Sequence, residues 1–129
     1  MALMNRRLFN QSRLGAVGAT ALPCSLRAEV TGDLIAREGN VRLAPTSYPE
    51  TTIWGYDGSV PGPAIRIRQG DRVSRRFLNQ LPQASSVHWH GIRIANAMDG
   101  VAYLTQDPVD PGDKFLYEFT VPDAGTYWY

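Results

Sequence analysis

The sequence is poor in the side chains that most often staple or ligate: one cysteine, Cys24, and two histidines in 129 residues. A single cysteine has no partner within the chain, which excludes a fold held by intrachain disulfides. Long apolar runs are also missing. No stretch approaches the roughly 20 residues needed to span a bilayer, so no stable membrane insertion is expected of the mature chain. Excess positive charge is absent beyond the first residues. Four arginines and no acids precede Glu29, whereas from Glu29 onward nine basic residues face twelve acidic ones. That balance argues against a nucleic-acid partner. No stretch after residue 28 carries a helical period, and there is no internal repeat, linker or low-complexity segment. With 43% hydrophobic residues, the chain suits one modest globular domain.

The basic beginning has the logic of an export signal. "NRRLFNQ" (Asn5 to Gln11) pairs Arg6 with Arg7 two residues before Phe9, and a mildly apolar Gly/Ala-rich run follows from Leu14 to Leu22. This resembles a twin-arginine signal peptide ending near Ala28, with a short amphipathic or disordered tail as the plainer alternative. Residues 1–28 are therefore read as an address and residues 29–129 as the domain. The expected location is the periplasm or another exported compartment, reached through the twin-arginine export machinery. Leu22-Pro23 ahead of Cys24 is a poor match to a lipoprotein anchor. Removing the address removes that cysteine, so the mature domain must rely on its core, on a metal, or on packing against something else.

What remains reads as all-β. Apolar and polar residues alternate in "AIRIR" (Ala64 to Arg68), "SVHWHGIRI" (Ser86 to Ile94) and "KFLYEFTV" (Lys114 to Val121), the period-2 signature of half-buried strands. Turn chemistry separates them in "VPGP", "RQGDR", "DPVDPGD" and "PDAG". Spacing of this kind predicts a Greek-key β-sandwich or barrel. The sequence stops inside "GTYWY" (Gly125 to Tyr129), which has strong strand character and no closing turn, and so reads as a truncated chain, incomplete at its C-terminus.

Both histidines fall in one strand-like segment. Residues i and i+2 of a strand share a face, so His88 and His90 are expected to aim their rings one way while Trp89 points the other and anchors the segment by burial. Two adjacent neutral imidazoles are awkward as packing and natural as metal ligands, for copper, zinc, iron or nickel. A His-x-His pair alone is weak evidence, since exposed histidines on a sheet face are ordinary. Two ligands also leave a site unfinished.

"WGYDGSVPGPAIRIRQGDRV" (Trp54 to Val73), "NQLPQASSVHWHGIRIANAMDGV" (Asn79 to Val101) and "LTQDPVDPGDKFLYEFTVPDAGTYWY" (Leu104 to Tyr129) together resemble the first cupredoxin domain of the multicopper oxidases, the group that includes laccases and bacterial copper-resistance oxidases. The likeness covers nearly all of the chain from Trp54 onward. It is specific because His-Trp-His-Gly, the Pro-Gly-Pro turn and Gly-Thr-Tyr-Trp-Tyr occur in order at compatible spacing.

The resemblance implies particular roles. By position, His88 would ligate the type 2 copper and His90 a type 3 copper of the trinuclear cluster that reduces dioxygen to water. Asp99 in "NAMDG" matches a family carboxylate near the type 2 copper that helps deliver protons; read locally, it is equally an ordinary turn aspartate before Gly100. The cysteine-dependent type 1 site is absent from this chain, and the further ligands are expected in later segments. The 129-residue chain alone is therefore expected to be inactive, to bind copper weakly and to fold poorly. The implied parent couples oxidation of a reducing substrate, a phenol or a metal ion such as Cu(I), to dioxygen reduction. A non-catalytic periplasmic copper-binding or copper-resistance protein is the alternative. A stand-alone electron-transfer cupredoxin fails for want of a cysteine ligand.

Some features depart from the family pattern or carry little. Ala102-Tyr103 stands where the family often has proline and a small residue. Arg75 and Arg76 adjoin where strict alternation expects one apolar side chain; this departure and the one at Ala102-Tyr103 are both read as surface variation. Arg66 and Arg68, alternating with Ile65 and Ile67, suit a solvated outer face better than an anion site. Asp107, Asp110 and Asp113 read as turn residues and not as a calcium loop. Tyr127, Trp128 and Tyr129 read as core and interface material.

Overall fold

Alternation turns into sheet where a second backbone is available to pair. In the computed structural model, which describes residues 27–129, this happens four times. The twin-arginine-like stretch and Cys24 lie outside the described residues. The strands are β1 (Glu29–Val41), β2 (Thr51–Tyr56), β3 (Arg72–Asn79) and β4 (Lys114–Thr120). They form one open mixed sheet in the order β2-β1-β3-β4. β1 runs antiparallel to β2, with Ala36 opposite Tyr56, and parallel to β3, with Leu34 opposite Phe77. β3 and β4 are antiparallel, with Val73 opposite Phe119. A single 3₁₀ turn, Asn96–Met98, is the remaining regular element among the described residues. The all-β reading holds.

One face of the sheet carries the core. Leu34 and Ala36 of β1, Val73 and Phe77 of β3, and Tyr117 and Phe119 of β4 are buried there, while Leu116, next to Tyr117, is exposed. The period-2 pattern of "KFLYEFTV" thus marks a true strand. Val87, Trp89 and Val109 join the buried cluster, and Ile65, Ile67, Ile92 and Ile94 pack against it.

Two of the three alternating stretches are not ladder strands. Residues 64–68 and 86–94 belong to none of the four strands. Their side chains still alternate: Ile65 and Ile67 are each followed by a more exposed residue or flanked by one, and Val87 and Trp89 are buried on either side of His88. The backbone in and just before the second stretch makes isolated bridges only, His90 with Trp128 within it and Ser85 with Val109 one residue ahead of it. Alternation encodes which side of an extended chain faces the core. It does not encode whether a neighbouring edge is present to pair.

Arg75 corrects the surface reading of the arginine pair. Val73, Arg75, Phe77 and Asn79 follow one another on the core side of β3, and it is Arg76 that turns outward to meet Asp33 at 2.7 Å. Arg75 is half-buried with its Nε enclosed and unbonded. Gly32 lies opposite it on β1, at φ +150°, and any side chain there would collide with the guanidinium. Trp128 is also not core: it is 68% exposed, whereas Tyr129 packs against the cluster.

Asn79 connects the sheet to the histidine segment. Its buried amide donates to the carbonyls of Gln83 and Val109, both at 2.8 Å, and its carbonyl accepts from the Leu81 amide at 3.0 Å. Both ends of the side chain are thereby paired where it would be costly to leave them unpaired. Val109 in turn exchanges two backbone hydrogen bonds with Ser85, at 3.0 and 2.8 Å. The end of β3 therefore sets where the stretch bearing His88 and His90 begins.

Candidate metal centre

Beyond Ser85, the segment is held by its apolar side. Val87 is fully buried and Trp89 is 4% exposed. The indole packs edge-on against Phe119 at 5.1 Å and Tyr117 at 5.6 Å, and tilted against Tyr129 at 5.6 Å. The Val87 amide donates to the Tyr117 hydroxyl at 3.0 Å. Burial pushes that phenol above its ordinary pKa, with the Val87 hydrogen bond opposing, so the hydroxyl stays protonated at neutral pH. With Val87 and Trp89 committed to the core, His88 and His90 face the other way. Their rings stand 5.4 Å apart, centroid to centroid, at 89°. The shared face expected from the spacing is observed.

A second piece of chain fixes the first ring. After the 3₁₀ turn, the carbonyl of Asp99 accepts from His88 Nδ1 at 2.9 Å and from the Trp89 amide at 3.3 Å. Ser86 Oγ donates to the next carbonyl, that of Gly100, at 2.7 Å. Gly100 is buried at φ +81°, and a Cβ there would lie 2.6 Å from the Val87 carbonyl carbon and 3.2 Å from His88 Cα. Glycine is required on both counts, conformation and space. Because a carbonyl oxygen only accepts, the His88 proton resides on Nδ1 and the lone pair on Nε2. That is the state in which a neutral imidazole can bind a metal. The Asp99 carboxylate stands beside the same ring, its Oδ2 3.5 Å from His88 Nδ1.

His90 is held less tightly. Its amide donates to the Trp128 carbonyl at 3.0 Å, and its ring packs edge-on to the Trp128 indole at 4.9 Å. Among the described residues, no three His, Cys, Asp or Glu side chains gather into a metal cage. The donors present fit part of a copper or zinc site: two imidazoles on one side of the chain, one with its tautomer set by a main-chain acceptor.

The structure brings His88, His90 and Asp99 together. It adds Ser86, Gly100 and the main-chain carbonyl of Asp99, which sequence reasoning missed. Asp-Gly is legible as a turn. Nothing in the one-dimensional pattern tells that its carbonyls reach back to residues 86–89.

Comparison with known proteins supplies the context for this half-built site. The multicopper oxidase family model matches residues 38–129. The chain belongs to the multicopper oxidase family. Family membership makes it part of a group of copper oxidoreductases. It is 40% identical over 97 residues to a copper resistance protein A homolog of Pseudomonas syringae pv. tomato, covering 75% of this chain and 16% of that protein. It is 37% identical over 121 residues to the multicopper oxidase MmcO of Mycobacterium tuberculosis, covering 88% of this chain and 23% of the relative. The crystal structure of a multi-copper oxidase from Pseudomonas thermotolerans superposes with a TM-score of 0.74 at 43% identity, over 79% of this chain and 24% of that one. The cupredoxin-like fold class is thereby established. The chain spans under a quarter of the length of each of these relatives.

Proposed function

We propose that this chain supplies two ligands, His88 to a type 2 copper and His90 to a type 3 copper, of a trinuclear cluster in a laccase-like multicopper oxidase. The observation that carries the reading is the pair of imidazoles on one face with His88 Nδ1 bound to the Asp99 carbonyl. When bound, copper supplies the one-electron chemistry that couples oxidation of a reducing substrate to reduction of dioxygen to water. The protein's own residues do the rest. Trp89 and Val87 anchor the segment in the core so that both rings stay at the surface of the domain. Asp99 divides its groups, its carbonyl holding His88 in the binding tautomer while its carboxylate, beside the same ring, is placed to hold and pass a proton. The reducing substrate is a phenol or a metal ion such as Cu(I), and export through the twin-arginine route to the periplasm suits a protein that folds before crossing a membrane.

A second reading, a copper-binding protein without catalysis, draws on the relatives described as copper resistance protein A. One experiment separates the two. In the copper-loaded full-length protein, His88→Ala and His90→Ala are each expected to abolish dioxygen uptake while leaving a blue type 1 absorption intact. Variants that consume dioxygen at the unsubstituted rate would refute the ligand roles. A full-length protein that binds copper through both histidines yet consumes no dioxygen with any reductant would favour the second reading. The 129-residue chain supplied with copper is expected not to turn over a phenolic dye.

A further inference from the structure

We propose that Ser86 is a positioning residue for the first copper ligand: through the Gly100 carbonyl it sets the Asp99 carbonyl against His88 Nδ1. The inference rests on the ligand role proposed for His88 and adds a residue that lies outside the ligand set.

Two successive carbonyls are gripped from one strip of chain. Donors on residues 86, 88 and 89 reach residues 99 and 100: Ser86 Oγ to the Gly100 carbonyl at 2.7 Å, His88 Nδ1 to the Asp99 carbonyl at 2.9 Å, and the Trp89 amide to that same oxygen at 3.3 Å. The left-handed conformation of Gly100, φ +81°, lets both carbonyls face the same strip of chain. The shortest of these bonds is the one made by Ser86; the turn's other ties are its own bonds from the Met98 amide to Ala95 and the Asp99 amide to Asn96, the bonds of Val101 to Thr105, and the packing of Met98 against the core. Met98 Sδ accepts from the Glu118 amide at 3.3 Å, a weak bond to sulfur, and no side chain caps the 3₁₀ turn itself. The Trp89 amide bond is long for a backbone bond. Without Ser86, His88 would be asked to hold the turn that is meant to hold it.

The consequence is chemical as well as mechanical. A neutral imidazole released from its acceptor distributes its proton between both nitrogens, and a proton on Nε2 blocks the lone pair that binds the metal. Partners one shell out from a metal ligand typically change metal affinity by about 10- to 100-fold. Ser86 acts one bond further away, so the lower end, about 10-fold, is the expected effect.

The test compares Ser86→Ala, Ser86→Thr and His88→Ala in the copper-loaded full-length protein, with Cu(II) as the probe. Three quantities are read: copper retained against a chelator, the thermal midpoint, and the pulsed-EPR signal of the remote imidazole nitrogen, which senses the hydrogen bond at Nδ1–H. Ser86→Ala is expected to lose copper at about 10-fold lower chelator concentration and to shift the remote-nitrogen quadrupole coupling, while Ser86→Thr restores both. An unshifted coupling in Ser86→Ala, alongside loss of one remote-nitrogen component in His88→Ala, would overturn the proposal for Ser86 alone. A remote-nitrogen signal in His88→Ala identical to that of the unsubstituted protein, with no component lost, would overturn the ligand reading and this proposal with it. If Ser86→Ala does not fold, Ser86→Thr and Ser86→Val, alike in shape and differing in the hydroxyl, make the same comparison. Equal couplings in that pair overturn the proposal.

Discussion

Gly100→Ala is the substitution that most directly tests how the histidine segment is held. The new methyl group would meet the Val87 peptide, with the carbonyl carbon 2.6 Å away and His88 Cα at 3.2 Å. These are backbone atoms, so no side-chain rotation relieves the overlap. Part of the cost is conformational, since alanine at φ +81° carries roughly 1 kcal/mol of strain. The remainder comes from pushing residues 86–89 away from the turn, which stretches the hydrogen bonds of Ser86, His88 and Trp89 to residues 99 and 100. At about 1 kcal/mol for each bond, the total is about 4 kcal/mol, a large share of the roughly 5–15 kcal/mol typical of a whole domain. Gly112→Ala is the control. Gly112 has a similar φ, +87°, and nothing lies within 4 Å of where a Cβ would stand, so it bears the strain, about 1 kcal/mol, and no collision. Urea unfolding followed by tryptophan fluorescence should place Gly100→Ala about 3 kcal/mol below Gly112→Ala. Equal midpoints for the two would show that the turn yields without loss, and the account of the site as a rigid clamp would fail.

Three further outcomes follow from the packing. Trp89→Ala should cost about 3–5 kcal/mol by opening the aromatic cluster, while Trp128→Ala, at a residue 68% exposed, should cost under about 1 kcal/mol; the same urea titration decides, and equal losses would contradict the division between buried and exposed indoles. Arg75→Met should raise stability by about 1 kcal/mol, because it removes an enclosed, unbonded Nε from the core face, and a lowered thermal midpoint would count against that reading. Burial first, then the neighbouring Tyr129 and Tyr117, push the Tyr56 phenol up to about 12. Its neutral form is thus favoured by folding, so stability is full below about pH 10 and falls as pH rises toward 12, by about 2–3 kcal/mol at most. Tyr56→Phe should flatten that fall in urea midpoints between about pH 9 and 12, and an unchanged slope would refute the assignment.

The sequence tells faces better than it tells pairings. Trp89 inward with His88 and His90 outward is readable from the two-residue period alone, because a side chain's direction is fixed by its own backbone. That Ser86 to Ile94 makes bridges and no ladder is not readable, because pairing depends on where another stretch of chain runs. β1 is the converse. Its thirteen residues include Gly32 and Gly39 and only two fully buried side chains, so its alternation is faint, yet it is an inner strand to which both β2 and β3 pair. Arg75 reads as surface when charge is weighed above register; its side of β3 is set by Val73 and Phe77, and Gly32 across the ladder makes the room. At the site, the titratable side chains are legible as donors. Ser86 and the two carbonyls are not, since main-chain acceptors leave no mark on composition.

The choice of a main-chain partner for His88 has a consequence that a carboxylate partner would not share. A carboxylate can take up a proton, and once protonated it can donate, so a ring held by it answers to pH. A peptide carbonyl has one role at every pH reached in a cell. With the carbonyl at 2.9 Å and the carboxylate oxygen at 3.5 Å from Nδ1, the main chain is the nearer acceptor and sets the tautomer. The carboxylate is then free of that task, and in the proposed reading it can gain and lose protons without releasing the ligand. Asp99→Asn should therefore leave the tautomer of His88, and its copper, largely in place while slowing dioxygen uptake in the full-length protein. Loss of copper in that variant, matching that of His88→Ala, would mean that the side chain holds the ring and that the two functions of Asp99 are not separate.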